Sequence, residues 1–297
     1  MSENKQKTGR IAIPYLLTIF IGLLVVGGLA FGLYKYLGIG KEEAPPKPQP
    51  RNGIATASYE DSHTLLLILD EPEMECSSTF VLMRSIPRDK KLLFIGIPSN
   101  SVAVVNGSQE SLKGSYERGG GDAAREFVQT AIGVNIDRYM VFGPDAFKKV
   151  CDIFGGVTFG VDVDIVGLQK DVPEQYLNSE QIEKFVTYPL FDDGEFGRAF
   201  RTASLLSNMV NQTDTKRIAD SFDMNFDTII NMVTKTDVTS VDYGKKKNAI
   251  KYMFNYGTSM GLSIVIDGTE SGDDFVPSSS FISNLPTEYF AEDRKDA

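Results

Sequence analysis

Histidine, cysteine and basic residues are all scarce in this chain of 297 residues. The only histidine is His63, so a metal site built from several imidazoles is excluded, as is a Ser-His-Asp triad on any other imidazole. The only cysteines are Cys76 and Cys151, which exclude a four-thiolate zinc site and allow at most one internal disulfide. Lys and Arg number 30 against 40 Asp and Glu, and the net charge of −10 argues against a nucleic-acid binder.

Charge is absent altogether from one segment near the N-terminus. Residues 11–34 form a run of 24 residues without a charged side chain, and about 20 apolar residues span the hydrocarbon core of a bilayer. Residues 1–10 carry three basic side chains and one acid, and a basic bias marks the cytoplasmic side. The sequence therefore predicts a cytoplasmic tail at 1–10, one transmembrane helix at 11–34 and a single-pass protein of the cell membrane with an extracytoplasmic domain.

A proline-rich spacer follows the apolar run. Residues 41–51 contain four prolines, a composition typical of stiff, extended linkers. We assign residues 35–53 to an extracytoplasmic linker and 54–268 to a folded domain. Residues 269–297, which are rich in Ser, Gly, Asp and Pro, are predicted to be a loop-rich tail. After residue 34 the chain carries 27 basic and 39 acidic residues, so this part should not bind anionic lipid headgroups nonspecifically.

Strand and helix patterns alternate along the folded domain. Continuous or alternating apolar runs predict strands, and apolar residues at helical spacing predict helices. Strands are expected at Leu65–Leu69, Phe80–Met83, Leu92–Ile97, Tyr139–Phe142, Val157–Val163 and Leu262–Ile266. Helices are expected at Asp145–Phe154, Glu195–Asn211, Asp223–Val233 and Val241–Phe254, with a further helix after Gly119–Gly121 that takes Asp122 as its N-cap. This alternation implies a layered α/β domain.

Several short strings in this order resemble the LytR-CpsA-Psr (LCP) family of envelope proteins, also known as the cell envelope-related transcriptional attenuator domain. The strings are Gly119–Gly120, Tyr139–Phe142 with Phe147, Val150–Val157 with its Gly-Gly-Val turn, Gly194–Arg201 and Thr236–Asp237. The resemblance covers residues 65–237, and the N-terminal anchor and spacer match the family's layout. The chain looks like a divergent member.

The resemblance implies a three-layer α/β/α fold with a central mixed sheet and an apolar cleft for a polyprenyl chain. It further implies transfer of a glycopolymer from a polyprenyl-pyrophosphate carrier to peptidoglycan, in the envelope of a Gram-positive-type bacterium. In such proteins arginines hold the pyrophosphate and aspartates hold Mg²⁺. Arg198 and Arg201 match the pyrophosphate ligands, and Asp70 matches a metal ligand. Lys113 and Arg118 flank the glycine segment and are further candidate anion ligands.

Four positions depart from the family pattern. Cys76 and Ser78 stand where the family has the Arg and Asp of its R-x-D-T motif. Ser99 and Asn100 stand where it has the Arg and Asp of S-I-P-R-D. A hydroxyl or amide cannot supply the charge that a hard cation or a pyrophosphate demands, which weakens the case for Mg²⁺.

The string S-I-P-R-D itself occurs at Ser85–Asp89, between two predicted strands. We interpret it as an exposed hairpin turn, because the literal assignment would leave the strand at Leu92–Ile97 without a place. The literal assignment stays open as the alternative.

Functions of different classes therefore remain open. The first is a phosphotransferase with substituted metal ligands. The second is a non-catalytic relative that binds lipid-linked carrier or partner proteins, such as active paralogues, as a scaffold. A third, an extracytoplasmic sensor, is disfavoured because the predicted cytoplasmic tail is only ten residues long.

Overall fold

The computed structural model describes residues 54–70, 78–170 and 172–290. They belong to a compact unit that begins at Ile54. The strands are β1 His63–Leu69, β2 Thr79–Ile86, β3 Lys91–Ile97, β4 Val102–Val105, β5 Ser108–Ser111, β6 Arg138–Phe142, β7 Val157–Val161, β8 Val172–Leu177, β9 Lys235–Thr236, β10 Gly261–Ile264, β11 Gly268–Ser271 and β12 Asp274–Pro277. The helices are α1 Leu112–Ile132, α2 Pro144–Phe154, α3 Ser179–Val186, α4 Gly194–Gln212, α5 Thr215–Asp220, α6 Phe222–Met232, α7 Ser240–Tyr256 and α8 Ser279–Tyr289.

A mixed sheet of six strands forms the centre, in the order β10-β3-β2-β1-β6-β9. Strand β1 is antiparallel to β2 and parallel to β6, while β3 is antiparallel to β2 and parallel to β10. The pairs β4–β5, β7–β8 and β11–β12 form separate two-stranded sheets. The predicted mixed α/β fold with a central mixed sheet is confirmed.

Helices cover both faces of this sheet. Successive side chains of a strand point to opposite faces, and on β1 Leu66 and Ile68 enter one hydrophobic cluster while Leu65 and Leu67 contact another. The first cluster includes residues of α1 and α8, and the second includes residues of α2, α3, α4 and α7. Burial on both faces explains why the central strands are nearly continuous apolar runs.

Helix α4 lies against the sheet at two glycines. A Cβ atom on Gly96 in β3 would be 1.9 Å from the carbonyl oxygen of Ala199. A Cβ atom on Gly261 in β10 would be 2.4 Å from the carbonyl oxygen of Ser207. Any other residue at either position would push the helix away, so these glycines set how closely α4 approaches the ends of the strands.

Helix α1 consists of two helical segments that meet at a kink. The first starts at Leu112, where the Ser111 hydroxyl accepts a hydrogen bond from the Gly114 amide. Gly120, with φ 64° and ψ −150°, interrupts the helical backbone between the two segments. The helix predicted after the glycines is therefore present, whereas the segment from Leu112 was not predicted and the N-cap of α1 is Ser111 instead of Asp122.

The predicted loop-rich tail at 269–297 is wrong for the residues that the structure describes. Strands β11 and β12 and helix α8 occupy this region, with Phe275, Leu285 and Phe290 buried. The polar residues that suggested a loop have local roles, such as the Ser278 hydroxyl, which accepts from the Phe281 amide and caps α8. The folded domain therefore extends at least to Phe290.

Two other expectations concern the hairpin and the membrane anchor. The string Ser85–Asp89 closes the β2–β3 hairpin, with Arg88 and Asp89 exposed, as predicted. The predicted tail, membrane helix and linker, residues 1–53, lie outside the described residues. No helix in the described part of the chain has both the length and the apolar character needed to cross a bilayer.

We expect Gly96→Ala to destabilise the fold by about 1–3 kcal/mol, because the new methyl group meets the backbone of α4. Gly244→Ala is the matched control: it lies in α7 with no neighbour near its Cβ position, so it should stabilise by about 0.5–1 kcal/mol. Urea unfolding monitored by circular dichroism measures both. Equal stabilities for the two variants would refute the close contact.

Cys151 is a free, buried thiol on the inward side of α2, as its position on the apolar stripe predicts, whereas Cys76 lies outside the described residues. Burial raises the pKa of the Cys151 thiol to about 12. In a Cys76→Ser variant we expect no reaction of Cys151 with a thiol-specific disulfide reagent near pH 8 while the protein is folded, because only thiolates react. Unfolding in guanidinium chloride should restore the reaction. Rapid labelling of the folded variant would contradict this burial.

Candidate functional site

The candidate site lies where four chain segments meet at one edge of the sheet. Strand β2 runs antiparallel to β1 and β3, so the end of β1, the start of β2 and the end of β3 are neighbours. Asp70, Ser78 and Ser99 follow or precede these strand ends, and the start of α4 packs beside them through Gly96. The topology thus brings together the positions that the sequence singled out.

Arg198 is the buried centre of this site, with only 2% of its surface exposed. Its guanidinium donates to the Thr79 hydroxyl at 3.0 Å and forms an ion pair with the carboxylate of Glu195, one turn earlier in α4. The Ser99 hydroxyl donates to the same Glu195 oxygen at 2.5 Å. Glu195 therefore bridges Arg198 and Ser99.

Asp70 forms a second group of contacts beside Arg198. Its carboxylate accepts a hydrogen bond from the Ser78 hydroxyl at 3.0 Å and another from the Tyr116 hydroxyl at 2.8 Å. Burial raises the pKa of Tyr116 well above its ordinary value, and the hydrogen bond to Asp70 raises it further. Tyr116 therefore remains protonated and keeps donating to Asp70.

Arg201, three residues beyond Arg198, is held by different partners. Its Nε donates to Asp162 at 3.0 Å and its Nη1 donates to Asp193 at 2.8 Å, while the guanidinium lies 4.9 Å from the centre of the Phe191 ring. These hydrogen bonds from Arg201 lower the pKa of Asp162. One positive charge is thus matched by two carboxylates.

The other candidate cations also have carboxylate partners. Arg118 makes two hydrogen bonds to Glu110, at 2.6 and 2.7 Å, and its side chain is largely exposed. Lys113 is exposed and pairs with Glu117 at 3.9 Å. The backbone amide of Lys113 donates to the Ser99 carbonyl, so Lys113 is next to the site although its ammonium group is paired outside it.

Asn100 is directed toward the C-terminal hairpin. The Asn100 side-chain amide donates to the Asp273 backbone carbonyl at 2.8 Å, and the Asn100 backbone carbonyl accepts from the Phe275 backbone amide. Cys76, the remaining substituted family position, lies outside the described residues. Of the four substituted positions, Ser78 and Ser99 are therefore the two that the structure places in the candidate site.

The residues present do not fit a magnesium ion. Mg²⁺ is bound through one or two carboxylates that are open to the ion and to substrate phosphates. Both oxygens of Asp70 already accept hydrogen bonds, and Glu195 is paired with Arg198. Among the described residues, no group of three or more His, Cys, Asp or Glu side chains is placed to hold a metal ion.

Sequence reasoning missed Glu195, Tyr116, Thr79 and the two partners of Arg201. Glu195 had a usable signal, because an acid three residues before an arginine on a helix can form an ion pair with it. Tyr116 lies just before the glycine segment, and nothing in its local sequence pairs it with Asp70. Asp162 comes from another part of the chain, and nothing in the local sequence of Arg201 points to it.

A cavity of about 370 Å³ lies on the face of the sheet that carries α4. Its walls are apolar side chains from the sheet and from α2, α4, α6 and α7. They include Leu67, Phe94, Met140, Val150, Phe154, Leu206, Met209, Ile229 and Met253. The family resemblance implies an apolar cleft, and these side chains enclose an apolar space.

This chain is similar to known proteins of one family. A model of the LytR_cpsA_psr family matches residues 68–263. The polyisoprenyl-teichoic acid–peptidoglycan teichoic acid transferase TagU of Bacillus subtilis (strain 168) is 23% identical over 254 residues of alignment. The match covers 80% of this chain and 82% of TagU. TagV, the transferase of the same description from that organism, is 23% identical over 222 residues, and the match spans 66% of this chain and 56% of TagV.

Solved structures share the fold. A Eubacterium siraeum DSM 15702 protein described as a transcription regulator has a TM-score of 0.69 at 19% identity, covering 80% of this chain and 95% of its own. The crystal structure of B. subtilis TagV has a TM-score of 0.60 at 19% identity, covering 78% and 96%. The chain belongs to the LytR_cpsA_psr family, because the family's model matches well over half of it.

We expect Glu195→Gln to increase affinity for inorganic pyrophosphate by about tenfold, since loss of the carboxylate charge leaves the Arg198 pocket one unit more positive. Isothermal titration calorimetry measures this. Glu183→Gln is the matched control, because it removes an equal charge beside the surface residue Lys148. An unchanged affinity in a folded Glu195→Gln protein would show that Glu195 does not compete with an anion.

Proposed function

We propose that this protein is a membrane-anchored, extracytoplasmic LCP-family protein that holds the lipid chain of a carrier without catalysing transfer. The observation that carries the proposal is that both family-matched arginines are already engaged by carboxylates of the chain itself. Arg198 is paired with Glu195, and Arg201 is paired with Asp162 and Asp193.

The charges at this edge of the sheet disfavour phosphoryl transfer, while binding of an apolar chain does not depend on them. Phosphoryl transfer depends on positive charge that is free to neutralise the phosphates. A pyrophosphate would have to displace Glu195 from a buried arginine, and the loss of that ion pair would weaken its binding. Ser78 and Ser99, which replace charged residues of the family pattern, supply hydroxyls and no compensating charge.

The apolar cavity supports the lipid-holding part of the proposed function. Its walls are hydrophobic, and it lies beside helix α4, whose first turn forms the candidate site. Burial of an apolar chain is favourable by roughly 25 cal/mol for each Å² removed from water, and this gain requires no charged group. A lipid chain can therefore bind although the phosphate site is neutralised.

The proposed setting is the outer face of the cell membrane. Residues 1–10 would be cytoplasmic, 11–34 would span the bilayer and 35–53 would link the anchor to the domain. The uncharged run at 11–34 and the proline-rich spacer support this arrangement. The partners proposed are the membrane, a polyprenyl-linked glycopolymer, peptidoglycan and active paralogues.

Transfer itself is the second candidate function. It is favoured by the relatives named as teichoic acid transferases, at 23% identity, and by the presence of Arg198, Arg201 and Asp70 at matching positions. In that case pyrophosphate would contact Arg198 after displacing Glu195, and Mg²⁺ would have to be held largely by the substrate.

A transfer assay separates the two candidates. We expect no transfer of a polyprenyl-pyrophosphate-linked glycopolymer to peptidoglycan by this protein in the presence of Mg²⁺, with B. subtilis TagU as the positive control. The combined variant Cys76→Arg, Ser78→Asp, Ser99→Arg and Asn100→Asp restores the family's charges and should gain detectable transfer. Turnover by the unaltered protein would establish the second candidate.

A further inference from the structure

The polar residues of the cavity all lie at one end, and it is the end opposite Arg198. Strands β1 and β6 are parallel, and their first residues border the cavity together with the start of α7. The polar rim consists of Ser62, His63, Asp137, Arg138, Asp242, Lys245 and Lys246, together with Ser85 and Tyr243. Asp70 follows the last residue of β1, so the length of that strand, roughly 20 Å, separates it from the rim.

We term this rim the lysine mouth, which consists of Lys245, Lys246 and the other rim residues just named. The net charge of the lysine mouth is positive. Arg138 makes two hydrogen bonds to Asp242, at 3.0 and 3.1 Å, and they hold the pKa of Asp242 at about 2. The Asp137 carboxylate accepts from the Thr64 amide at 2.7 Å. Burial lowers the pKa of His63, so the imidazole is neutral at neutral pH.

The two lysines supply the excess charge. Lys246 donates to the backbone carbonyls of Glu60 and Ser62, which are neutral acceptors. Lys245 is exposed, and within the described part of the chain it makes no ion pair. Three cations and two carboxylates thus border the mouth, in a domain whose overall charge is strongly negative.

The size of the cavity limits the chain that it can hold. A space of about 370 Å³ lies at the lower end of the range of small-molecule pockets, roughly 300–1,000 Å³. This suits one apolar chain. A single excess positive charge likewise matches a monoanion better than a pyrophosphate.

We propose that the cavity binds a single-chain carboxylate amphiphile, with its head at Lys245 and Lys246 and its tail directed toward Phe142, which pairs with the last residue of β1, and Val150. The inference rests on the proposed function in one respect, that the cavity holds an apolar chain. It adds a second ligand class and an orientation in which the head lies away from Arg198.

Photolabelling of the full chain in phosphatidylcholine nanodiscs tests the orientation. The probes are two tetradecanoic acids, one with a diazirine beside the carboxylate and one with a diazirine at the far end of the chain. We expect the first to label peptides that contain His63 or Lys245, and the second to label the end of β6 and α2, around Phe142 and Val150. Labelling by the first probe around Ser99 or Arg198 would overturn the proposal.

Competition measures the contribution of the head. Unlabelled tetradecanoic acid should displace the probe about tenfold better than tetradecanol, which has the same chain without the charge. Lys245→Gln should weaken the acid about fivefold to tenfold, because an interaction with a charged group is lost. Lys247→Gln is the matched control on the same helix, since Lys247 pairs with Asp223 and does not line the cavity, and it should leave affinity unchanged.

The outcomes also distinguish this inference from the proposed function. Labelling of Phe142 and Val150 with equal competition by acid and alcohol, and no effect of Lys245→Gln, would reject the carboxylate site while the lipid-holding cavity stands. No labelling of the cavity by either probe would reject both. Thermal unfolding of Lys245→Gln and Lys247→Gln verifies that each variant is folded.

Discussion

The close contact between helix α4 and the sheet determines both the candidate phosphate site and the cavity. Gly96 and Gly261 let the helix backbone approach β3 and β10 to a distance that no side chain at those positions would permit. The first turn of α4 then places Glu195 and Arg198 at the strand ends. Its later turns place Leu206 and Met209 over the apolar face of the sheet, where they enclose the cavity.

In the function that we propose, this shared helix lets a family scaffold keep one ligand function and lose another. An apolar chain needs only hydrophobic walls, whereas a pyrophosphate needs free positive charge. Arg198 is paired with Glu195, and Arg201 is paired with Asp162 and Asp193. Ser78 and Ser99 stand where the family pattern has charged residues. The combination favours a protein that holds lipid-linked material over one that transfers it.

Much of the fold could be predicted because its signals are local. The apolar runs of β1 and β3 and the Gly155–Gly156 helix end are local patterns, and the layered α/β class follows from the alternation of strands and helices. The central mixed sheet was implied by the family resemblance. The C-terminal hairpin and α8 were missed because their stability comes from distant burial, as with Phe275 and Leu285, and not from local composition. At the site, positions were predictable but partners were not, since Arg201 meets Asp162 only through the tertiary fold.

The most direct test of the central claim, that the family-matched arginines are neutralised by the chain's own carboxylates, is calorimetric titration with geranylgeranyl pyrophosphate, with and without Mg²⁺. The account predicts that Mg²⁺ leaves the affinity unchanged, both in the unaltered protein and in Asp70→Asn, a variant of equal shape that lacks the carboxylate charge. Binding that tightens tenfold or more with Mg²⁺, and loses that gain in Asp70→Asn, would contradict the account and identify a working phosphate and metal centre.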